Sequence, residues 1–386
     1  MRVLFSSTFG SGHVFPMLAL AHAFRAAGHD VLWATSADAL GQVTATGLDA
    51  VPAGLTGAPR REGVGAVTAA ARAVPPPERA AFVFPRMFAA LLAPPMAADL
   101  LPLARDWRPD LLVHEHAELA SPLVGALLGV PSVTHSFGGG IPPPILDAAT
   151  QRLAPLWREY GLTVPAYAGC FAASYLDICP PSVQSVSLDH VPLVQALCPV
   201  SERTAPDGAP PVHPVDDDRP LVYVTLGTVQ NHSPVLAPVV TALAGLDVRV
   251  LVTVGLDGDP ATLGAQPSQV RVERWVDQAE VLRHCSVVVS HAGSGTFLGA
   301  LAAGLPQLCL PHAADQFRNA TGGVRAGAAL VLGPPEVTGD AVAAAVTRLL
   351  GEDRFRTGAG AVAAEIAAMP SPDEVVGVLV GLAGAG

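Results

Sequence analysis

The sequence contains no lysine, all 22 basic residues being arginine. This removes the P-loop lysine of phosphate-binding sites, the Schiff-base lysine of pyridoxal enzymes and every lysine general base. Cysteine is scarce too. Cys170, Cys179, Cys198, Cys285 and Cys309 form no Cys-x-x-Cys pair, so neither a cysteine-built zinc site nor a disulfide framework is expected. Only 14% of residues are charged, acids outnumber bases, and the net charge is −11. A chain of that sign with scattered arginines repels a phosphate backbone, which excludes a nucleic-acid partner. No apolar run approaches the ~18 residues that a membrane span needs, and the opening apolar stretch is too short for a signal peptide. The expectation is a cytoplasmic protein with no membrane insertion.

What is present is apolar: 50% of 386 residues are hydrophobic and mean hydropathy is +0.42. The length suits two domains. The chain opens with the β-rich run Arg2-Val3-Leu4-Phe5-Ser6, a glycine loop from Thr8 to His13, apolar residues at helical spacing over 14–27, then Gly28-His29-Asp30 and a second strand over 31–34. A strand over 110–114, an apolar helix over 117–128 ended by Gly129, and a strand over 131–134 continue the alternation. The same grammar restarts at Leu221-Val222-Tyr223-Val224-Thr225-Leu226 with Gly227-Thr228, a helix after Pro234, and a strand over 248–254. Two doubly wound α/β domains follow, 1–200 and 220–386, joined by the Pro-, Asp- and Gly-rich linker 201–219. The last helix is a candidate to pack back on the first domain. Irregular stretches are expected over 53–95 and 138–144, shaping a pocket over strand ends.

Gly10-Ser11-Gly12-His13-Val14-Phe15 sits where a dinucleotide fingerprint would, but the third glycine is Phe15 and no acid ends the second strand, which argues against a nicotinamide site. His13, just before a helix N-terminus, reads as a neutral imidazole able to accept a proton or as a loop-packing residue. Glu115 follows a buried strand and can orient that imidazole, or can be a solvated strand-end acid. His114 and His116 flank it without a third spaced metal ligand. In the second half, Trp275 and Val276 precede a helix, where an indole suits a planar base. The strand Ser286-Val287-Val288-Val289-Ser290 runs into His291-Ala292-Gly293-Ser294-Gly295-Thr296, whose small residues let a phosphate approach a helix N-terminus. Asp315-Gln316 follow the next strand as a polar pair or as a helix cap.

The ordered set Trp275…Gln278, His291-x-Gly-x-Gly-Thr296, Gly304-x-Pro306-Gln307 and Asp315-Gln316, with Gly12-His13-x-x-Pro16, resembles the family 1 glycosyltransferases of GT-B fold, above all actinomycete enzymes that glycosylate antibiotics. The resemblance covers nearly the whole chain. It implies two Rossmann-like domains facing across a cleft, and an inverting, metal-independent transfer of a (deoxy)hexose from a thymidine diphosphate (TDP) sugar to a hydroxyl of a hydrophobic natural-product aglycone. By the same resemblance His13 is the base and Glu115 its partner. Thr228, Trp275, Val276, Gln278, His291, Ser294, Gly295 and Thr296 hold the nucleotide, and Asp315 and Gln316 hold the donor sugar. No cofactor or metal is implied. Plant relatives carry a ribose-binding Glu three residues after the position of Thr296; here it is Gly299, which suits a 2′-deoxyribose. The acidic runs 216–218 and 257–259 imitate a metal-binding Asp-x-Asp but fall in the linker and a polar turn. A sugar-nucleotide 2-epimerase of the same fold and a non-catalytic nucleotide-sugar-binding protein stay open as alternatives, as do homodimerisation and an auxiliary activator protein.

Overall fold

The structure is a computed structural model that describes residues 1–199, 217–227, 235–255 and 258–384. Two compact units emerge. The first comprises Met1–Cys179, Val186–Val200 and Met369–Gly386, and the second Pro180–Ser185 and Ser201–Ala368.

The first unit holds a seven-stranded sheet of β1 (Arg2–Ser6), β2 (Asp30–Thr35), β3 (Ala50–Pro52), β4 (Leu111–Glu115), β5 (Ser132–His135), β6 (Ser174–Asp177) and β7 (Val194–Ala196), in the order β3-β2-β1-β4-β5-β6-β7. All pairings are parallel, with Val3 opposite Leu111 and Glu115 opposite His135. Every residue of β4 and β5 is buried. Parallel strands covered on both faces read as continuous rather than alternating apolar runs, which is why they were visible in the sequence. The order reverses between β1 and β4, and at such a switch point the loops splay apart and leave a crevice.

The second unit repeats the plan with β8 (Leu221–Thr225), β9 (Arg249–Thr253), β10 (Val270–Glu273), β11 (Val287–Ser290), β12 (Gln307–Cys309) and β13 (Ala329–Val331), in the order β10-β9-β8-β11-β12-β13, again all parallel. Its switch point lies between β8 and β11. The final helix, Pro372–Gly384, packs within the first unit against the helix Ser11–Ala26, and the Cys198 N–H donates to Pro370 O (2.8 Å).

Two expectations are corrected. Residues 53–95 are largely helical: a helix at Gly57–Ala71 is followed by a continuous helical stretch from Arg79 to Trp107. Its prolines were misleading as breakers, because Pro94 and Pro95 open the helix Ala93–Trp107, where a missing N–H is tolerated. The stretch Arg79–Trp107 is long and apolar enough to cross a membrane, yet half of it is buried inside the protein, with Met96, Ala97, Leu100, Leu101 and Ala104 in the core. It is read as a core helix. The first helix also begins earlier than periodicity indicates, at Ser11 after Gly10 (φ 100°), so His13 lies inside its first turn.

Candidate active site

The site residues form two groups, one in each unit. In the first, β4 ends on Glu115, which is fully buried. Its Oε1 accepts from the Thr8 N–H (3.2 Å) and the Thr8 hydroxyl (2.7 Å), and its Oε2 from the Ala117 N–H (2.5 Å). His13 Nδ1 lies 3.1 Å from the same Oε1. Burial raises the affinity of Glu115 for a proton, but the His13 charge and hydrogen bond, the Ala117 N–H and the Thr8 hydroxyl outweigh it and hold the carboxyl below its ordinary range. A carboxylate has only acceptor sites, so the ring proton of a neutral His13 belongs on Nδ1 and the lone pair on Nε2. The His13 side chain is 23% exposed while Glu115 is at 0%, so the imidazole is the part a substrate can reach.

Thr8, which the sequence reading left unassigned, is fixed in turn. Trp33 Nε1 donates to Ser7 Oγ (3.0 Å), Ser7 Oγ to Thr35 Oγ1 (3.1 Å), and Thr35 Oγ1 to Thr8 O (3.0 Å). Glu118, also buried, accepts from the Ser6 hydroxyl (2.7 Å) and the Ala120 N–H (2.7 Å), closing the turn after β4. A shallow cleft opens beside these strand ends, lined by Thr8, Phe9, Leu55, Phe88, Leu92 and Met96 among others. His114 and His116 are both engaged within the first unit. His114 Nδ1 donates to the Glu118 carbonyl (2.7 Å), and its Nε2 lies 2.9 Å from the Thr134 hydroxyl; the His116 ring packs against Phe171 and Tyr175. Among the described residues no group of three or more His, Cys, Asp or Glu is placed to hold a metal ion.

In the second unit the loops after β11 and β12 meet. The helix Ser294–Ala302 begins after Gly293, and within the described residues the N–H groups of Ser294, Gly295 and Thr296 make no hydrogen bond. Gly295 is exposed above open space, so these donors and the helix dipole face outward. The His291 ring fits between Gly227 and Gly293, where a Cβ would come within 2.6 Å and 2.4 Å of it, so both positions require glycine. Burial lowers the His291 pKa to about 4, making it a neutral donor rather than a cation.

Ser294 Oγ donates to Asp315 Oδ2 (2.5 Å), and Thr296 Oγ1 to Gln278 Oε1 (2.9 Å). Asp315 occupies the N-cap position of the helix Gln316–Arg325 without capping it, since its carboxylate holds Ser294 and Asn319 instead. Gln316 Oε1 accepts from the His312 and Ala313 N–H groups (2.7 and 2.9 Å) and shapes the turn. Trp275 is half-buried beside buried Val276, and Asp277 caps the next helix through the Ala279 N–H (3.0 Å). Asn319 escaped the sequence reading: its Nδ2 lies 2.9 Å from Ala292 O, 3.0 Å from Ser294 Oγ and 3.0 Å from Asp315 Oδ2. It braces Ala292, a non-glycine residue at φ 62°. Thr228, Asp216 and Asp257 lie outside the described residues. Asp217 pairs with Arg219, and Asp259 accepts from the Ala261 N–H (3.0 Å).

Known proteins share this fold over nearly the whole chain. The N-terminal and C-terminal domain models of erythromycin biosynthesis protein CIII-like proteins match residues 22–194 and 237–382. Elloramycin glycosyltransferase ElmGT of Streptomyces olivaceus is 35% identical over 363 residues, 88% of this chain and 87% of that protein. The crystal structure of glycosyltransferase VinC in complex with dTDP is similar with TM-score 0.80 and 26% identity, covering 100% of both chains. Spinosyn rhamnosyltransferase SpnG, complexed with spinosyn aglycone, gives TM-score 0.81 and 28% identity over 98% of this chain and 100% of that one. The two sheets of Rossmann order therefore stand in a known setting: the chain belongs to the erythromycin CIII-like family of GT-B glycosyltransferases of antibiotic biosynthesis.

Proposed function

We propose that the protein moves a hexose, deoxygenated in its natural donor, from a TDP-sugar to a hydroxyl of a hydrophobic natural-product aglycone, with inversion and without a metal. The acceptor belongs to residues 1–200 and the donor to 220–386. The observation that carries this reading is the His13 Nδ1 to Glu115 Oε1 distance of 3.1 Å in an otherwise saturated carboxylate site. His13 Nε2 takes the proton of the acceptor hydroxyl, its oxygen attacks the anomeric carbon, and the bond from that carbon to the diphosphate oxygen breaks with its electron pair on the diphosphate. Glu115 stabilises the imidazolium so formed. The N–H groups of Ser294, Gly295 and Thr296, the helix dipole and the neutral His291 receive the charge of the leaving diphosphate. Trp275 and Val276 hold the base, with Gln278 and Thr228 beside the nucleotide, and Asp315 and Gln316 face the donor sugar.

The 2-epimerase alternative leaves His13 and Glu115 without a task, and a non-catalytic role leaves them without a reason to pair. VinC was solved with dTDP and SpnG with an aglycone, which supports the same two ligand classes here. The reading places the protein in the cytoplasm, where TDP-sugars are made, and is compatible with a homodimer and with an auxiliary activator protein. Incubation with a panel of TDP-sugars and hydrophobic aglycones, with and without EDTA and read by mass spectrometry, tests it. A glycoside one hexose heavier in both arms is expected. Nucleotide binding with no product from any pair, or product restored only by added Mg²⁺ or Mn²⁺, would overturn it.

A further inference from the structure

Aromatic residues make up only 5% of the chain, yet several are gathered around His13. Phe88 and Phe137 both contact its ring, at ring-centroid distances of 5.6 and 5.2 Å and interplanar angles of 48° and 62°. Behind them the contacts continue, through Phe84 to Phe88 (5.0 Å) on one side and from Phe137 through His116 (6.5 Å) to Tyr175 (5.1 Å) on the other. The far members are buried, whereas Phe88 and Phe137 are half-buried and the His13 side chain that both contact is 23% exposed.

Phe88 is held there by an unusual backbone. Residues Pro85–Leu92 form a π-helical segment, in which the Ala93 N–H reaches back five residues to Phe88 O. Pro94 and Pro95 have no N–H, so Ala90 O and Leu91 O lose their α-helical donors, and the widened turn sits where that ladder fails. Restoring an ordinary helix would advance the preceding side chains by about 100° per residue removed, carrying Phe88 off His13 and out of the cleft it lines.

We infer that Phe88 and Phe137 choose the acceptor, admitting hydroxyls borne on a planar aromatic ring system ahead of equally large saturated rings. This rests on His13 being the base. Burial of apolar area alone would rank the two the other way, because a saturated ring is the more hydrophobic; offset and edge contacts with two phenyl groups reverse that order.

The test uses a dihydroxyanthraquinone and its perhydro analogue as probes, with equilibrium binding measured by calorimetry. The wild type is expected to bind the aromatic probe at least about tenfold more tightly. Phe88→Leu, which keeps apolar volume but removes the π face, is expected to weaken the aromatic probe about tenfold and the saturated probe less than about twofold, with TDP affinity unchanged. Phe137→Leu, on a separate loop, should show the same selective loss if the first variant fails to fold. No aromatic preference in the wild type, or equal losses for both probes in a folded variant, would overturn the inference by making these rings mere filling. Glycosyl transfer is read separately: an aromatic preference without transfer from any TDP-sugar would sink the parent reading and leave the ring site standing.

Discussion

The two units share one strand order, six strands wound 3-2-1-4-5-6, and use the ends of those strands in opposite ways. In the first, the polar side chains are turned inward: Glu115 and Glu118 are consumed by Thr8, Ser6 and backbone N–H groups, and a single partly exposed imidazole emerges. In the second, side chains are tied to one another through Asp315, Asn319, Ser294, Gln278 and Thr296, and the backbone donors of a helix N-terminus are left outward. One unit presents a partly exposed imidazole and the other a set of fixed dipoles. The shared topology does not choose between these tasks, because what differs lies in the loops after the strands.

Acid should separate the units most sharply. Burial lowers the pKa of His116 to about 3 and of His135 to about 4, and that of His114 downwards as well, all in the first unit; His291, at about 4, is the comparable ring of the second. An unfolded chain protonates each ring near pH 6.5, whereas the native rings resist. The native state therefore binds fewer protons, and stability is complete above about 6.5 and falls as pH drops towards 4. His116 and His135 each contribute on the order of 3 kcal/mol to that loss by pH 4. Tryptophan emission reads the units apart, since Trp33, Trp107 and Trp157 lie in the first and Trp275 in the second. In Trp275→Phe the first-unit signal should change at a higher pH than the Trp275 contribution obtained by difference. The reverse order would mean that the buried histidines are not what limits the first unit.

Catalysis should separate them next. His13→Ala is expected to lower turnover by at least about a hundredfold while TDP affinity stays near wild type, because the role proposed for His13 is on the acceptor and not on the nucleotide. Single-turnover rates and TDP calorimetry on the same preparation check this. A large fall in TDP affinity would break the division of labour between the units, and near-normal turnover would remove His13 as the base.

The second unit has its own lever in Asn319, whose role explains why part of the site was illegible in sequence. The strands, the glycine loops and the His291 motif could be read because fully buried parallel strands are unbroken Val and Leu runs and the motif is local. Asn319 acts through Ala292, whose left-handed backbone becomes apparent only when the loop is folded. Thr8 was hidden for a similar reason, since its contact with Glu115 joins residues 107 positions apart. The stretch 53–95 was misread through its prolines, and His13 was placed one turn too early because Ser11 and Gly12 carry no apolar period. Asn319→Ala leaves the Ala292 carbonyl and Asp315 short of a donor, a loss of about 2 kcal/mol, so TDP should bind roughly thirtyfold more weakly with acceptor binding unchanged. Unaltered TDP affinity would show that the network supports the fold and not the nucleotide.

The smallest expected effect concerns which nucleotide the second unit takes, and it turns on Gly299 in the helix Ser294–Ala302. A glutamate there could accept from both ribose hydroxyls of a uridine nucleotide, a charge-assisted pair worth roughly 1.5 to 3 kcal/mol, and a glycine supplies no such acceptor. The 2′-hydroxyl of uridine diphosphate then enters a site that offers it nothing in exchange for water. The methyl of thymine meanwhile adds apolar contact near Trp275, on the order of 0.8 kcal/mol. Together these should make TDP bind about tenfold more tightly than uridine diphosphate, since 1.4 kcal/mol is a factor of ten. Gly299→Glu should narrow the gap, chiefly by strengthening uridine diphosphate. Calorimetry with both nucleotides on both proteins decides the matter. Equal affinities in the wild type, or tighter uridine diphosphate, would overturn the thymidine assignment while leaving the roles proposed for His13 and Glu115 untouched.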